Sequence, residues 1–113
     1  MLAAGVDPAA LAELDLAVEE DPRDLAGGGR AVAALTPPPE GVVCASDSLA
    51  LGARLALGPG VPVIGYDDTP VARALGFASV AQPLDEVAAA VLELLRSDDG
   101  AHHRLLTPRL VAR

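Results

Sequence analysis

The sequence reads Gly-Val-Val-Cys-Ala-Ser-Asp-Ser-Leu-Ala-Leu-Gly-Ala over residues 41–53 and Val-Pro-Val-Ile-Gly-Tyr-Asp-Asp-Thr-Pro over residues 61–70. In both stretches a short apolar run ends in a carboxylate, and a plausible helix start follows. In a parallel sheet both carboxylates would leave the strands at their carboxyl edge, where open α/β sheets bind ligands. The pattern therefore predicts small-molecule recognition involving Asp47 and Asp67.

Length and charge limit what this chain can do. Its 113 residues are enough for a single domain with one core. Sixteen acidic against eight basic residues give a net charge of −8, and every basic residue is arginine. No basic cluster is present, so we expect no direct contact with nucleic acid. No apolar run approaches the roughly 18 residues of a membrane helix, the N-terminus does not resemble a signal peptide, and the single cysteine fits a reducing cytoplasm.

Short apolar runs alternate with helical patterns, which is typical of βαβ organisation. We expect the helix over 21–35 to be weak or broken at its three consecutive glycines, because glycine costs about 0.8–1 kcal/mol against alanine in a helix interior. Ser46 or Asp47 is the predicted N-cap of the helix that follows the first motif. The predicted strands cover 41–45 and 61–66, and residues 9–16 form either a strand or, given their alanine content, a helix. The predicted helices cover 21–35, 48–57, 70–75 and 83–96, and a last extended segment covers 104–112.

The helix predicted over 83–96 has one continuous apolar face. Leucine, valine and alanine recur along it at helical spacing, and acidic residues in its first turn and an arginine in its last match the helix dipole. The apolar positions are Leu84, Val87, Ala88, Val91, Leu92 and Leu95.

Four motifs in order resemble the LacI/GalR family of bacterial transcription regulators. They are Val-Val-Cys-Ala-Ser-Asp-Ser-Leu-Ala-Leu-Gly-Ala (42–53), Val-Ile-Gly-Tyr-Asp-Asp-Thr-Pro (63–70), Ser-Val-Ala-Gln-Pro (79–83) and Thr-Pro-Arg-Leu-Val-Ala-Arg (107–113). The chain resembles the C-terminal part of the family's effector-binding domain, which is similar to periplasmic binding proteins. The resemblance implies an α/β fold with an open, mostly parallel sheet flanked by helices, which is one incomplete lobe of that type I fold.

In the family, two lobes close on a small effector, commonly a sugar or a nucleobase, and a separate headpiece binds DNA. The resemblance therefore implies that residues 1–113 form a partial effector-binding domain, with the C-terminal lobe and the crossover helix 83–96. The headpiece and most of the N-terminal lobe have no counterpart here. The resemblance implies that the chain is a fragment of a cytoplasmic regulator and that its function is to sense a sugar-like effector. A fragment of a sugar transporter's solute-binding protein and a non-functional remnant are the alternatives.

The resemblance assigns effector contacts to Asp67, Asp47, Ser46 and Gln82. Asp67 is the strongest of these, because a carboxylate after an apolar strand faces a cleft or forms a turn. Asp47 and Ser46 have capping as their alternative role, and Gln82 either contacts the ligand or the hinge, or caps the helix 83–96.

Other chemistry finds little support in the sequence. His102 and His103 are adjacent and would point to opposite faces of an extended chain, so we predict no metal site. Cys44 is predicted to be a small buried apolar residue. There is no Gly-x-Ser-x-Gly elbow and no phosphate-binding loop, so we predict no enzyme activity and no cofactor.

Two expectations follow from the missing lobe. A one-walled cleft leaves a ligand half solvated, so the isolated chain should bind no sugar or purine with useful affinity. The apolar face of helix 83–96, which packs with the N-terminal lobe in the family, should fold back, stay exposed or form a homodimer.

Overall fold

The computed structural model describes residues 24–98, residue 100 and residues 103–113. The strand or helix predicted over 9–16, the start of the helix predicted over 21–35, and His102 lie outside the described residues. In the described part helices and strands alternate along the chain. In chain order they are α1 (Leu25–Ala33), β1 (Val42–Val43), α2 (Asp47–Leu57), β2 (Val63–Tyr66), α3 (Pro70–Leu75), β3 (Ala78–Ala81), α4 (Leu84–Arg96) and β4 (Arg109–Val111).

The four strands form one sheet in the order β1-β2-β3-β4. β1 pairs with β2 and β2 pairs with β3 in parallel, with Val42 opposite Val63 and Ile64 opposite Ala78. β4 adds to the edge antiparallel to β3, so that Val80 lies opposite Leu110. The predicted open, mostly parallel α/β sheet is therefore confirmed, and β3 is the strand that the sequence pattern did not identify.

The glycines of α1 do not break this helix, contrary to the prediction. α1 packs against α2, and a Cβ at Gly28 would lie 2.2 Å from the carbonyl oxygen of Leu49. A Cβ at Gly52 would lie 1.8 Å from the carbonyl oxygen of Leu25. Glycine is thus required where the two backbones meet, and this close packing offsets the helix propensity that glycine loses.

The ends of α2 and α3 follow the sequence signals. Gly58 ends α2 and Gly76 ends α3 with positive φ angles of 76° and 69°, which glycine adopts without steric cost. Pro70 occupies the first turn of α3, as predicted, but the side chain of Thr69 makes no capping hydrogen bond. α4 begins at Leu84 after Pro83, so Gln82 is not its N-cap.

The core is small and lies between the sheet and the helices. α2 covers β1 and β2 and also contacts α3. Alanine and valine supply most of the core, which limits the apolar area that folding removes from water. The buried core residues are Val32, Ala50, Ala53, Val63, Ala72 and Phe77, with Val42, Cys44 and Leu57 partly buried against them.

The apolar face of α4 is largely exposed, which agrees with one of the outcomes expected from the sequence. Leu84 is 70% exposed and Leu95 is 79% exposed, and Val91 and Leu92 are about half exposed. Ala90 is the buried residue of this helix. A contiguous apolar surface of this kind favours association.

We predict that Gly52→Ala destabilises the chain. Alanine gains about 1 kcal/mol of helix propensity, but its Cβ would overlap a backbone oxygen that cannot rotate away, and overpacking costs about 1–3 kcal/mol or more. Urea unfolding should show a net loss of unfolding free energy. Gly60→Ala is the control, since a Cβ there meets nothing within 4 Å, and an equal loss in both variants would contradict the packing argument.

Self-association through the exposed face of α4 stays a prediction. Sedimentation velocity should show concentration-dependent dimers of the wild-type chain and monomers of Leu95→Gln, because the glutamine makes the face less apolar. A wild-type chain that remains monomeric at high concentration would contradict this prediction.

Candidate functional site

Three adjacent parallel strands end at one edge of the sheet, and polar side chains follow each of them. Ser46 and Asp47 follow β1, Asp67 follows β2, and Gln82 follows β3. This is the edge at which open α/β sheets bind ligands. The structure therefore places all four residues predicted to contact a ligand at the same edge, although they differ in exposure.

Asp47 lies beneath this edge rather than on it. Asp47 is only 2% exposed to solvent. Oδ1 accepts a hydrogen bond from the hydroxyl of Ser79 at 2.6 Å. Oδ2 accepts one from the backbone N–H of Thr69 at 2.6 Å and another from the Thr69 hydroxyl at 2.7 Å. Both carboxylate oxygens are thus bonded within the chain.

Gly65 makes room for this carboxylate. A Cβ at Gly65 would lie 2.1 Å from Oδ1 of Asp47. The carboxylate therefore lies directly against the backbone of β2, which links the first motif of the sequence to the second.

The turn over residues 67–69 has an unusual backbone. Asp67 has φ 93° and Asp68 has φ 48°, and such conformations cost non-glycine residues about 1–3 kcal/mol each. The backbone N–H groups of this turn bond in succession to the carbonyl of Val80 at 2.8 Å, to Oγ of Ser79 at 3.0 Å and to Oδ2 of Asp47. Hydrogen bonds to charged groups contribute about 1.5–3 kcal/mol each, so the bonds made by Asp47 are of the size needed to hold the turn.

Asp67 and Gln82 meet at the exposed surface of the edge. Nε2 of Gln82 donates a hydrogen bond to Oδ1 of Asp67 at 2.5 Å, and both residues are exposed. This bond uses Nε2 of Gln82 and Oδ1 of Asp67, so Oδ2 of the carboxylate and Oε1 of the amide remain as acceptors. The alternative role of Gln82 as an N-cap is wrong, since the helix begins after Pro83.

Asp68 fixes the other side of the turn through two arginines. Its Oδ1 accepts from Nη2 of Arg113 at 2.5 Å, and its Oδ2 accepts from Nη2 of Arg73 at 3.2 Å. Arg113 also donates to the carbonyl of Phe77 at 3.2 Å. The hydrogen bond from Arg113, helped by the charges of both arginines, lowers the pKa of Asp68 below its ordinary value of 3.8.

Ser46 is the N-cap of α2, which confirms the capping role that the sequence left open. Its Oγ accepts from the backbone N–H of Leu49 at 3.2 Å. Ser46 is also nearly buried. Cys44, at the end of β1, is half-buried, and desolvation raises the pKa of its thiol to about 11, as expected of a small apolar residue.

Sequence reasoning missed three residues of this edge. Ser79, Thr69 and Arg113 bond to carboxylates that are 32, 22 and 45 positions away in the chain. All three lie inside the motifs that carry the family resemblance, which is the sequence signal that points to them.

Among the described residues no group of histidine, cysteine and carboxylate side chains could hold a metal ion. No helix in the same residues is long and apolar enough to cross a membrane.

The exposed pair does not lie in a closed cavity. A shallow depression begins at Gln82 and continues over Pro83 to Glu86 along the first turn of α4. Asp67 lies beside this depression and does not line it. The described residues therefore form an open surface that could contact a ligand from one side only.

We predict that the stabilising effect of Asp68 disappears in acid. Because its pKa is lower in the folded chain, Asp68 stabilises the fold above about pH 3.8, and this contribution is lost as the pH falls through the lowered pKa. The difference in unfolding free energy between wild type and Asp68→Asn should therefore shrink below pH 3.8 in urea unfolding. Asparagine tolerates the positive φ, so it tests the charge. Asp98→Asn is the control, and a wild-type–Asp68→Asn difference that does not change with pH would contradict the prediction.

Comparison with solved structures relates the fold of this chain to a known family. A regulatory protein of the LacI family from Chloroflexus aggregans matches with a TM-score of 0.68 and 28% identity, covering 80% of this chain and 39% of that chain. A LacI transcriptional regulator from a Rhodococcus species matches with a TM-score of 0.69 and 26% identity, covering 80% and 39%. A LacI family transcriptional regulator from Lactobacillus casei with bound glucose matches with a TM-score of 0.61 and 30% identity, covering 80% and 38%.

No protein-family model and no curated protein matches the chain. The chain spans about two fifths of the length of the solved structures that it matches. These neighbours are described as regulators of the LacI family. The resemblance expected from the sequence is confirmed, and the chain has the fold of part of a LacI-type effector-binding domain.

Proposed function

We propose that this chain is the small-molecule-sensing lobe of a LacI-type regulator, with Asp67 and Gln82 as its direct ligand contacts. The observation that carries the proposal is their hydrogen-bonded, exposed pair at the carboxyl edge of the parallel sheet. The similarity to LacI-family regulators supports a role in a regulator over other functions of this fold.

The chemistry of the pair favours a neutral, hydroxyl-rich ligand. Two free acceptor positions can take hydroxyl donors, and charge-assisted bonds to the carboxylate contribute about 1.5–3 kcal/mol each. The negative charge of Asp67 disfavours anions, and the nearby Arg113 and Arg73 already pair with Asp68. A sugar is the ligand class that fits, and the glucose bound to the Lactobacillus casei regulator is consistent with this choice.

The remaining parts of the proposal concern the whole protein. We assign the described residues to the C-terminal lobe, with α4 as the crossover helix toward a second lobe. DNA contact would belong to a separate headpiece and not to this acidic chain, and the regulator would act in the cytoplasm without a cofactor. Ser46, which caps α2, would contribute to the ligand site through the position of that helix.

A solute-binding fragment of a sugar transporter and a non-functional remnant are the alternatives. The genomic sequence upstream of Met1 separates the three readings. A helix-turn-helix reading frame supports the regulator, a signal sequence supports the transporter, and stop codons support the remnant.

We predict weak binding of sugars by the chain itself, since one open wall leaves much of a ligand in water, whereas binding pockets bury 70–90% of it. Titration of the ¹⁵N-labelled chain with monosaccharides, including glucose, should shift the amide of Asp67 and the side-chain amide of Gln82. The dissociation constant for a sugar should be about 1 mM or higher, which corresponds to a binding free energy no more favourable than about −4 kcal/mol.

Asp67→Asn should abolish these shifts, because it keeps the shape of the side chain and removes the charge that strengthens the bonds. Asp98→Asn, which removes a charge two residues after the end of α4, should leave them unchanged. The proposed site is wrong if no compound produces shifts at the edge or if Asp67→Asn binds as wild type does. Micromolar affinity in calorimetry would contradict the one-walled cleft.

A further inference from the structure

Asp47 has no free surface with which to reach a ligand, although it lies at the motif that first suggested the site. Its residue is 2% exposed, and its two oxygens accept three hydrogen bonds from Ser79 and Thr69. A carboxylate that is bonded in this way affects a ligand through the groups that it holds.

The groups that it holds belong to the turn that carries Asp67. Oδ2 of Asp47 bonds directly to the backbone of Thr69. Oδ1 orients the hydroxyl of Ser79, whose oxygen accepts from the backbone N–H of Asp68 at 3.0 Å. The two residues that follow Asp67 are therefore both tied to Asp47, one directly and one through Ser79.

This restraint acts on a backbone that would otherwise relax. Asp67 and Asp68 have positive φ angles, which non-glycine residues keep only where the surroundings hold them. The bond from the N–H of Asp67 to the carbonyl of Val80 continues the pairing of β2 with β3, but it does not restrain the two residues that follow. The backbone conformation of the turn over residues 67–69 sets the direction in which the side chain of Asp67 leaves the strand and meets Gln82.

We propose that Asp47 is a positioning residue that holds the turn 67–69 so that Asp67 and Gln82 form a preorganised pair for the ligand. Its effect on ligand affinity rests on the proposed function, whereas its effect on the turn does not. Preorganisation of this kind raises affinity because less freedom is lost when the ligand binds.

Hydrogen exchange and NMR of the full chain without ligand test the first part. In Asp47→Ala, exchange of the Asp67 and Asp68 amides should accelerate by about tenfold or more relative to wild type, and the side-chain amide resonances of Gln82 should move toward their free position. The amide of Cys44, which bonds to Ile64 within the sheet at 2.8 Å, is the internal control and should change less.

Asp47→Asn should restore much of the wild-type behaviour. Its amide oxygen can accept both bonds from Thr69, and its NH₂ group can donate to Oγ of Ser79. Ser79→Ala removes the hydroxyl that links Asp47 to the Asp68 amide and keeps the two bonds from Thr69 to Asp47, so it should accelerate exchange at Asp68 more than at Cys44. Ser48→Ala, one position from Asp47, is the matched control for loss of a serine hydroxyl and should behave as wild type.

The inference is overturned if folded Asp47→Ala keeps wild-type exchange at Asp67 and Asp68 and wild-type Gln82 resonances. It is also overturned if the amide of Cys44 accelerates equally, since the effect is then a general loss of stability. Where Asp47→Ala does not fold, Ser79→Ala decides by the same criteria.

The second part uses glucose and the other monosaccharides as ligands. Asp47→Ala should lose the sugar-induced shifts at Asp67 while Asp47→Asn keeps them in part, and unchanged shifts in Asp47→Ala would overturn the link to binding. If no sugar shifts the wild-type chain, the proposed function fails, and the exchange results still decide whether Asp47 holds the turn.

Discussion

The buried carboxylate of Asp47 joins three elements that are far apart in the chain. It lies at the start of α2, contacts the backbone of β2 at Gly65, and accepts hydrogen bonds from the residue before α3 and from Ser79 of β3. A buried charge is costly unless hydrogen bonds satisfy it, and here three donors do so. The carboxyl edge of the sheet has its shape because these donors and Gly65 are where the carboxylate needs them.

Small residues serve the same purpose elsewhere in the fold. Gly28 and Gly52 allow the backbones of α1 and α2 to meet, as Gly65 allows the carboxylate to meet β2. The core has few large side chains, so close backbone packing and buried hydrogen bonds supply part of the stability that aromatic residues supply in other domains. A substitution that adds a single methyl group at one of these glycines would therefore force the packed backbones or the carboxylate apart.

The sequence predicted what local patterns determine. Apolar runs located β1 and β2, and glycine and proline signals located the ends of α2 and α3, because each depends on neighbouring residues. The edge that carries Asp67 and Gln82 followed from parallel strands and from the family motifs. That α1 stays unbroken was not predictable, because its glycines are explained only by the close packing of α2 against it.

The roles of individual carboxylates were also beyond the reach of sequence patterns. Asp47 and Asp67 follow similar apolar runs, and only the fold buries the first beneath Thr69 and exposes the second beside Gln82. Asp68 pairs with Arg113, which lies 45 positions away. Local pattern can identify a carboxylate at a sheet edge, but burial and distant donors decide what it does.

The three carboxylates of this edge differ in how they are bonded. Asp47 and Asp68 are bonded to neighbours on both sides of the turn, so their charges are largely compensated within the chain. Asp67 lies between them with its charge exposed. The strained backbone of the turn is stable only because both sides are held, and the result is one exposed carboxylate in a fixed direction. Under the proposed function, a second wall would close on a carboxylate whose direction is already set, and less ordering would then accompany ligand binding.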